Sequence, residues 1–138
     1  MPDSSAIDNA LIALLGADST LLALCPNGVY FAEAPPGSTR HVVVSLADAD
    51  DVQMFGARAL EDALYLIKAV MLSTAGGDIK AAAARIDALL EQQTLTVSGY
   101  GPTTVHRESR ERMTEVDDLD ASLRWLHRGG FYRVVTST

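Results

Sequence analysis

The pattern of apolar positions is densest at Leu60–Ser73, LEDALYLIKAVMLS, where Lys68 is the only charged residue after Asp62. As a helix, this stretch would place one apolar face on Leu60, Leu64, Ile67 and Met71. As a strand, it would place Ala63, Tyr65, Ile67, Ala69 and Met71 on one face and Leu64, Leu66, Lys68, Val70 and Leu72 on the other. Its Ala, Leu and Met content slightly favours the helix, whereas an apolar run of this kind also suits a strand buried on both faces. The residues alone leave both states open.

The rest of the pattern predicts helices and strands in alternating groups. A helix begins near Ser5, with Asp8 in its first turn, and Asp18 or Ser19 caps a second short turn. His41–Leu46 is predicted as a strand, and Ile79–Leu90 as a helix with one apolar face. Short strands are predicted at Val29–Phe31, Thr94–Val97 and Thr103–Val105, and a final strand at Ser122–Thr136. This order predicts an α+β fold in which one long helix and a short N-terminal helical segment accompany an antiparallel sheet. Residues 1–138 are predicted to form a single domain.

Two polar stretches separate these elements, and a glycine pair interrupts the last strand. Ala47–Gly56, ADADDVQMFG, is interpreted as a loop or hairpin connection. His106–Asp120 is mostly charged and is interpreted as a solvated strand pair or a loose loop, which we expect to be mobile until a neighbour orders it. Gly129-Gly130 predicts a bulge or bend in the last strand.

Charge and composition narrow the classes of function. The 138 residues carry 18 acidic and 11 basic side chains, a formal charge of −7, which argues against ordinary nucleic-acid binding. No apolar run approaches the ~20 residues of a membrane-spanning helix, and MPDSSAID lacks the positive charge of a secretory signal, so we expect folding in a cytoplasm and no membrane partner. The single cysteine, Cys25, follows three leucines and is predicted to be buried.

Candidate chemistry is sparse along the chain. Asp48, Asp50 and Asp51 cluster, but a calcium loop would need oxygen ligands at Val52 and Ala59. The remaining candidates, His41, His106, His127 and Gly76-Gly77, lack the spacing of a metal site or a phosphate loop. We therefore predict no catalytic residue, no metal ligand and no cofactor. Arg107, Arg110 and Arg112 alternate with glutamates, which fits either a self-neutralised loop or a surface that pairs with a neighbouring subunit.

Several segments resemble, in their order, the tail-terminator (tail-completion, head–tail joining) proteins of long-tailed bacteriophages. The leucine-rich N-terminal segment followed by Asn27–Phe31, NGVYF, and a Pro-Gly loop is similar to the opening of that family. Tyr65–Val70 followed by a Gly-Gly turn and Ala84–Leu90, ARIDALL, is the nearest match, and His127–Val134, HRGGFYRV, resembles the last strand. Where family members often have a Pro-aromatic pair at the entry to the second strand, this chain has Arg40-His41.

The resemblance implies that Leu60–Ser73 is a strand in the middle of the sheet. One of its faces would then be covered by the Ile79–Leu90 helix and the other by the N-terminal helix or a neighbouring subunit. Leu66 would lie in a dry setting, where an introduced aspartate costs several kcal/mol.

The resemblance also implies a non-enzymatic virion protein that assembles in the host cytoplasm into a ring, usually of six subunits. Such a ring caps the head-proximal end of the tail tube and contacts the tube protein and the head connector, while genomic DNA passes through without specific binding. Arg107, Arg110 and Arg112 would then lie at a subunit or tube interface. Two alternatives stay open: a neck or head-completion connector, and a small cytoplasmic enzyme or ligand-binding protein.

Overall fold

A computed structural model describes residues 5–54, 57–73, 77–120 and 122–137. The helices are α1 (Ser5–Gly16), α2 (Ser19–Leu24) and α3 (Gly77–Leu90). The strands are β1 (Val29–Phe31), β2 (Arg40–Met54), β3 (Ala57–Ser73), β4 (Gln93–Leu95), β5 (Thr103–Val116) and β6 (Arg124–Ser137). No helix in the described ranges is long and apolar enough to cross a membrane.

The strands form one sheet in the order β1-β2-β3-β6-β5-β4. Leu60–Ser73 lies within β3, the third strand of the six, so the prediction of a central strand is confirmed. The β1–β2 pair is parallel and the other pairs are antiparallel, which corrects the expectation of a purely antiparallel sheet. The coarse α+β class fits, but the sheet dominates the fold, and α1 has twelve residues against fourteen in α3.

Both long helices pack on the same face of the sheet, called here the helix face. Tyr65 of β3 donates a hydrogen bond to Asp8 of α1, and Tyr132 of β6 donates one to Asp87 of α3. Because these tyrosines are paired in register on adjacent strands, they point to the same side. The core between the layers contains fully buried residues of each element, including Ile7, Leu11, Ile67, Ile86 and Val134. The N-terminal helix therefore does not cover the second face of the sheet.

Asp18 connects the N-terminal helices to α3. As the N-cap of α2 it accepts a hydrogen bond from the backbone N–H of Leu21 at 2.9 Å, which decides between the two caps, Asp18 and Ser19, that the sequence allowed. Its two carboxylate oxygens also accept from Nε and Nη2 of Arg85 at 2.8 and 2.6 Å. Hydrogen bonds from Arg85 and then from Leu21 lower the pKa of Asp18 to about 2.

The opposite face of the sheet, called the open face, is less buried. Ala63, Tyr65 and Ile67 are fully buried on the helix face, whereas Leu64 and Leu66 on the open face are partly exposed in the single chain. The expectation that Leu66 lies in a dry setting is therefore wrong for the isolated subunit. A neighbouring subunit, the other cover that the sequence suggested, stays a prediction.

Two strands extend through stretches that the sequence predicted as loops. Ala47–Met54 belongs to β2 and pairs with β3, which corrects the interpretation of Ala47–Gly56 as a connection; residues 55–56 lie outside the described ranges. His106–Val116 belongs to β5, a single strand that pairs with β6 along its length, which corrects the interpretation of His106–Asp120 as a loose loop or as a strand pair of its own. The predicted bulge at Gly129-Gly130 is misplaced, because the register shift lies in the neighbouring strand, between Arg107 and Ser109.

Candidate interface: a basic groove and an acidic sheet edge

The three arginines singled out in the sequence share one face of β5. In a regular strand, Arg107 would point away from Arg110 and Arg112, because successive side chains alternate. The bulge between Arg107 and Ser109 adds one residue on β5, so that Arg107, Arg110 and Arg112 stand opposite Tyr132, Gly130 and Arg128. Since Tyr132 reaches α3, all three arginines lie on the helix face.

These side chains line a groove between α3 and the outer strands, called here the basic groove, with a volume of about 560 Å³. Lys80, Ala83, Ala84 and Asp87 of α3 form one wall, at the i, i+3, i+4, i+7 spacing of a single helical face. The other wall is formed by Arg107, Arg110, Glu111, Arg112, Arg128, Gly129 and Tyr132. Five cationic side chains face two acidic ones, in a chain whose formal charge is −7.

Asp87 organises one end of the basic groove. Its Oδ1 accepts a hydrogen bond from the Tyr132 hydroxyl at 2.9 Å and lies 2.9 Å from Nη1 of Arg107. Burial, with the Asp87 hydrogen bond second, raises the pKa of Tyr132 well above its ordinary value. The backbone N–H of Arg107 also donates to the carboxylate of Glu91. Arg107 is therefore tied into its own subunit.

Arg110 and Arg112 have no such partner. In the described part of the chain, neither side chain forms an ion pair or a hydrogen bond, and the same holds for Lys80 and Arg128. By contrast, Arg40, Arg85 and Arg133 are each paired with at least one carboxylate. Two unit charges about 7 Å apart in water repel by about 0.6 kcal/mol. The protein can therefore hold these cations together while the groove is filled with water, and an anionic partner would reduce their repulsion.

An apolar strip continues the basic groove. A second cavity of about 360 Å³ shares Lys80, Arg112 and Arg128 with the groove and adds Ile79, Met113 and Leu126. Met113, which lines this cavity, is 48% exposed, and Val116, which lines neither cavity, is 54% exposed. The outer side of β5 is also free, because β4 pairs with Thr103–Val105 alone and no other described strand lies beside residues 108–116.

The opposite edge of the sheet carries the opposite charge. β1 pairs with Val42–Val44 alone, so β2 has a free outer side from Ser45 onward within the described ranges. Glu33 and Asp48 are exposed here, and Asp50 and Asp51 follow on the same edge strand. Phe31 and Leu46 are 42% and 37% exposed beside them. We call this surface, with Phe31, Glu33, Leu46 and Asp48 as its described side chains, the acidic edge.

The other residues considered from the sequence do not converge. Among the described residues, no group of three or more His, Cys, Asp or Glu side chains is placed to hold a metal ion. The side chains of Asp50 and Asp51 and the whole of Gly76 lie outside the described part. His41 and His127 flank Val70 on the open face, and the Nδ1 atom of each is buried without a hydrogen-bond partner.

Sequence reasoning found the arginines but missed Lys80, Asp87 and Arg128. A signal existed for the α3 residues, because Lys80, Ala83, Ala84 and Asp87 repeat at helical spacing beside the buried face. Arg128 gives no comparable signal, since its position opposite Arg112 follows from the register of β5 and β6.

Comparison with known proteins gives likeness in structure alone. No family model matches the chain, and no curated protein matches it. A chain of the virion of a native gene transfer agent particle is 21% identical, with a TM-score of 0.65 over 98% of this chain and 97% of that one. A second solved structure is 14% identical, with a TM-score of 0.64 over 100% of this chain and 97% of the other. At these identities the likeness establishes the fold, which both structures share with this chain from end to end.

Proposed function

We propose that this protein is a structural virion protein, a ring-forming tail terminator that caps the tail tube and joins it to the head connector. The observation that carries the proposal is the structural likeness to a chain of a gene transfer agent virion over nearly the full length of both chains. The order of sequence segments that resembles tail terminators supports the finer role. The proposed action is assembly, without catalysis or a cofactor.

The two free sheet edges support assembly into a ring. Long strands with unpaired outer sides are templates for association unless something covers them. Here both outer long strands, β2 and β5, have such sides, and they are the second and the fifth of the six strands in the sheet. Contacts between unlike surfaces of identical subunits close into rings when the rotation allows it. We propose six subunits, as the resemblance implies.

The charge of the chain suits passage of DNA through such a ring. With a formal charge of −7, the subunit surface gives little counterion-release gain with phosphates, so DNA would slide through without being held. A neck or head-completion connector is the second candidate, because likeness to a virion chain is compatible with either position in the particle.

Electron microscopy and mass measurement of the purified protein test the proposal. We expect rings with a central hole wide enough for duplex DNA and a mass six times that of the 14.7 kDa chain. Added to tail tubes of its own phage or prophage, the protein should be found at one end, facing the head. Rings that bind the head connector but never the tube would favour the connector role, and a compact monomer under all conditions would refute both.

A further inference from the structure

Exposed apolar side chains mark two places on this subunit. Five large hydrophobic residues of the described chain are exposed, and four of them lie toward the two edges of the sheet: Phe31 and Leu46 toward one, and Met113 and Val116, on opposite faces of β5, toward the other. Phe31 and Leu46 lie on the acidic edge beside Glu33 and Asp48, and Met113 lines the cavity that adjoins the unpaired cations of the basic groove. Exposed apolar side chains therefore accompany negative charge toward one edge of the sheet and positive charge toward the other.

We propose that the acidic edge of one copy seats in the basic groove of the next, so that copies associate head to tail. The inference rests on the ring proposed above and names the two surfaces that build it. In this contact, acidic side chains including Glu33 and Asp48 neutralise Arg110, Arg112, Lys80 and Arg128. Phe31 and Leu46 pack on the strip that contains Met113.

The direction of the strands fits this arrangement. β2 and β5 run in opposite directions, because three antiparallel pairings separate them. When two copies have the same orientation, β2 of one therefore runs antiparallel to β5 of the next. The free parts of the two strands, residues 45–54 and 108–116, are similar in length, about 30 Å at the usual rise per residue. The surfaces differ from each other, so the contact is heterologous and propagates around a ring.

A second copy fits the basic groove better than nucleic acid does. The groove is a local basic surface on an acidic chain, which repels a polyanion at long range. A neighbouring subunit brings acids at fixed positions together with the apolar side chains of Phe31 and Leu46, which can pack beside Met113. Charge-assisted pairs between arginine and carboxylate gain strength when the surrounding contact excludes water.

Charge reversal and swap-back test the contact by mass photometry and analytical ultracentrifugation at low and high salt. Arg110→Glu/Arg112→Glu should weaken self-association at least tenfold, and so should Glu33→Lys/Asp48→Lys. The chain that carries all four changes should recover association to within about threefold of the original. Mixing the two double variants should restore association in assemblies where the two variants alternate, because both surfaces of one variant are then acidic and both surfaces of the other are basic.

Apolar controls separate the groove from general surface effects. Met113→Ser should weaken association, whereas Leu119→Ser, which removes a residue that is 97% exposed at the β5–β6 turn, should not. Thermal melts at high salt confirm that every variant remains folded.

The outcomes distinguish the inference from the proposed function. If both double variants still form rings, the inferred contact is wrong, but the proposed function as a ring-forming protein is unaffected. Loss of association in the doubles with no recovery in the quadruple variant also overturns it. If the quadruple variant recovers association but no form of the protein closes into rings, the contact is supported and the terminator role is refuted. A fluorescent DNA duplex tests the other occupant: binding that requires Arg110 and Arg112, with association unchanged, would overturn the inference.

Discussion

Truncation of alternate residues in β3 discriminates between the strand and the helix that this stretch could form. Ile67 is fully buried on the helix face, whereas Leu64 and Leu66 are partly exposed on the open face. A helix would instead bury Leu64 together with Ile67 on one face. If the stretch is a strand, Leu64→Ala should destabilise the protein much less than Ile67→Ala. If it is a helix, the two substitutions should destabilise the protein to a similar extent.

The magnitude follows from burial and from the neighbours of Ile67. Loss of a buried isoleucine side chain costs about 2–5 kcal/mol, and more when the site cannot collapse. Ile67 stands between Val44 on β2 and Gly130 on β6, and a glycine has no side chain to move into the space. We therefore expect about 3–5 kcal/mol for Ile67→Ala and about 1 kcal/mol for Leu64→Ala or Leu66→Ala.

Calorimetry and urea unfolding measure these costs, at a salt concentration that keeps the protein monomeric. For a chain of this length the unfolding entropy converts 1 kcal/mol into about 3–4 °C, so Ile67→Ala should lower the Tm by about 10–20 °C and the two leucine variants by about 3–4 °C. Equal losses for Leu64→Ala and Ile67→Ala would refute the strand register. A loss of comparable size for Leu66→Ala would show that the open face is covered in the monomer.

Three further predictions concern local environments. Burial lowers the pKa of His41 below 6.5, so the unfolded chain takes up a proton at this residue at a higher pH than the folded chain does. The Tm should therefore fall as the pH drops below about 6.5, and it should fall less steeply in His41→Gln. The same dependence of Tm on pH in the variant would contradict this. Burial raises the pKa of the Cys25 thiol to about 11, so a thiol reagent at neutral pH should label it in urea but hardly at all in the native protein; rapid native labelling would place it at the surface. Gly129→Ala puts a Cβ 2.1 Å from the carbonyl oxygen of Ile67 and should lower the Tm strongly. In Gly16→Ala the added Cβ meets nothing within 4 Å, so the Tm should be unchanged or slightly raised. Similar Tm values for the two variants would refute the close approach of β6 to β3 at Gly129.

The apolar parts of the fold could be predicted from their patterns, because burial imposes a period on the sequence. The face of α3, the cap at Asp18 and the short strand β1 all follow from local residues. The state of β3 did not, since its apolar run fits a helix as well as a strand and was decided by resemblance. A strand of this kind is recognised by its partners on both sides, which lie far away in sequence.

The polar parts of the fold were missed for a different physical reason. Ala47–Met54 and His106–Val116 are rich in charged residues, so their composition is typical of loops. Both are strands because each lies beside a long neighbour that supplies backbone hydrogen bonds, β3 for the first and β6 for the second. Ladder hydrogen bonds need no apolar residue on the strand that receives them, and the arithmetic that predicted a mobile segment counted side-chain burial alone.

The same limit applies to the candidate site, where the position of one charge depends on the backbone of another strand. The spacing of Arg107, Arg110 and Arg112 would divide them between two faces of a regular strand, and the bulge before Ser109 unites them. That bulge stands opposite Gly130, where a Cβ would come within 2.5 Å of the Ser109 carbonyl oxygen and 3.3 Å of the Arg107 side chain. The glycine therefore leaves room for the bulged backbone and for the stem of the arginine that reaches Asp87. The sequence does contain the signal, a glycine pair in the last strand, but its consequence falls on β5. No reading of residues 106–120 in isolation could have turned an alternating run of acids and bases into a basic surface.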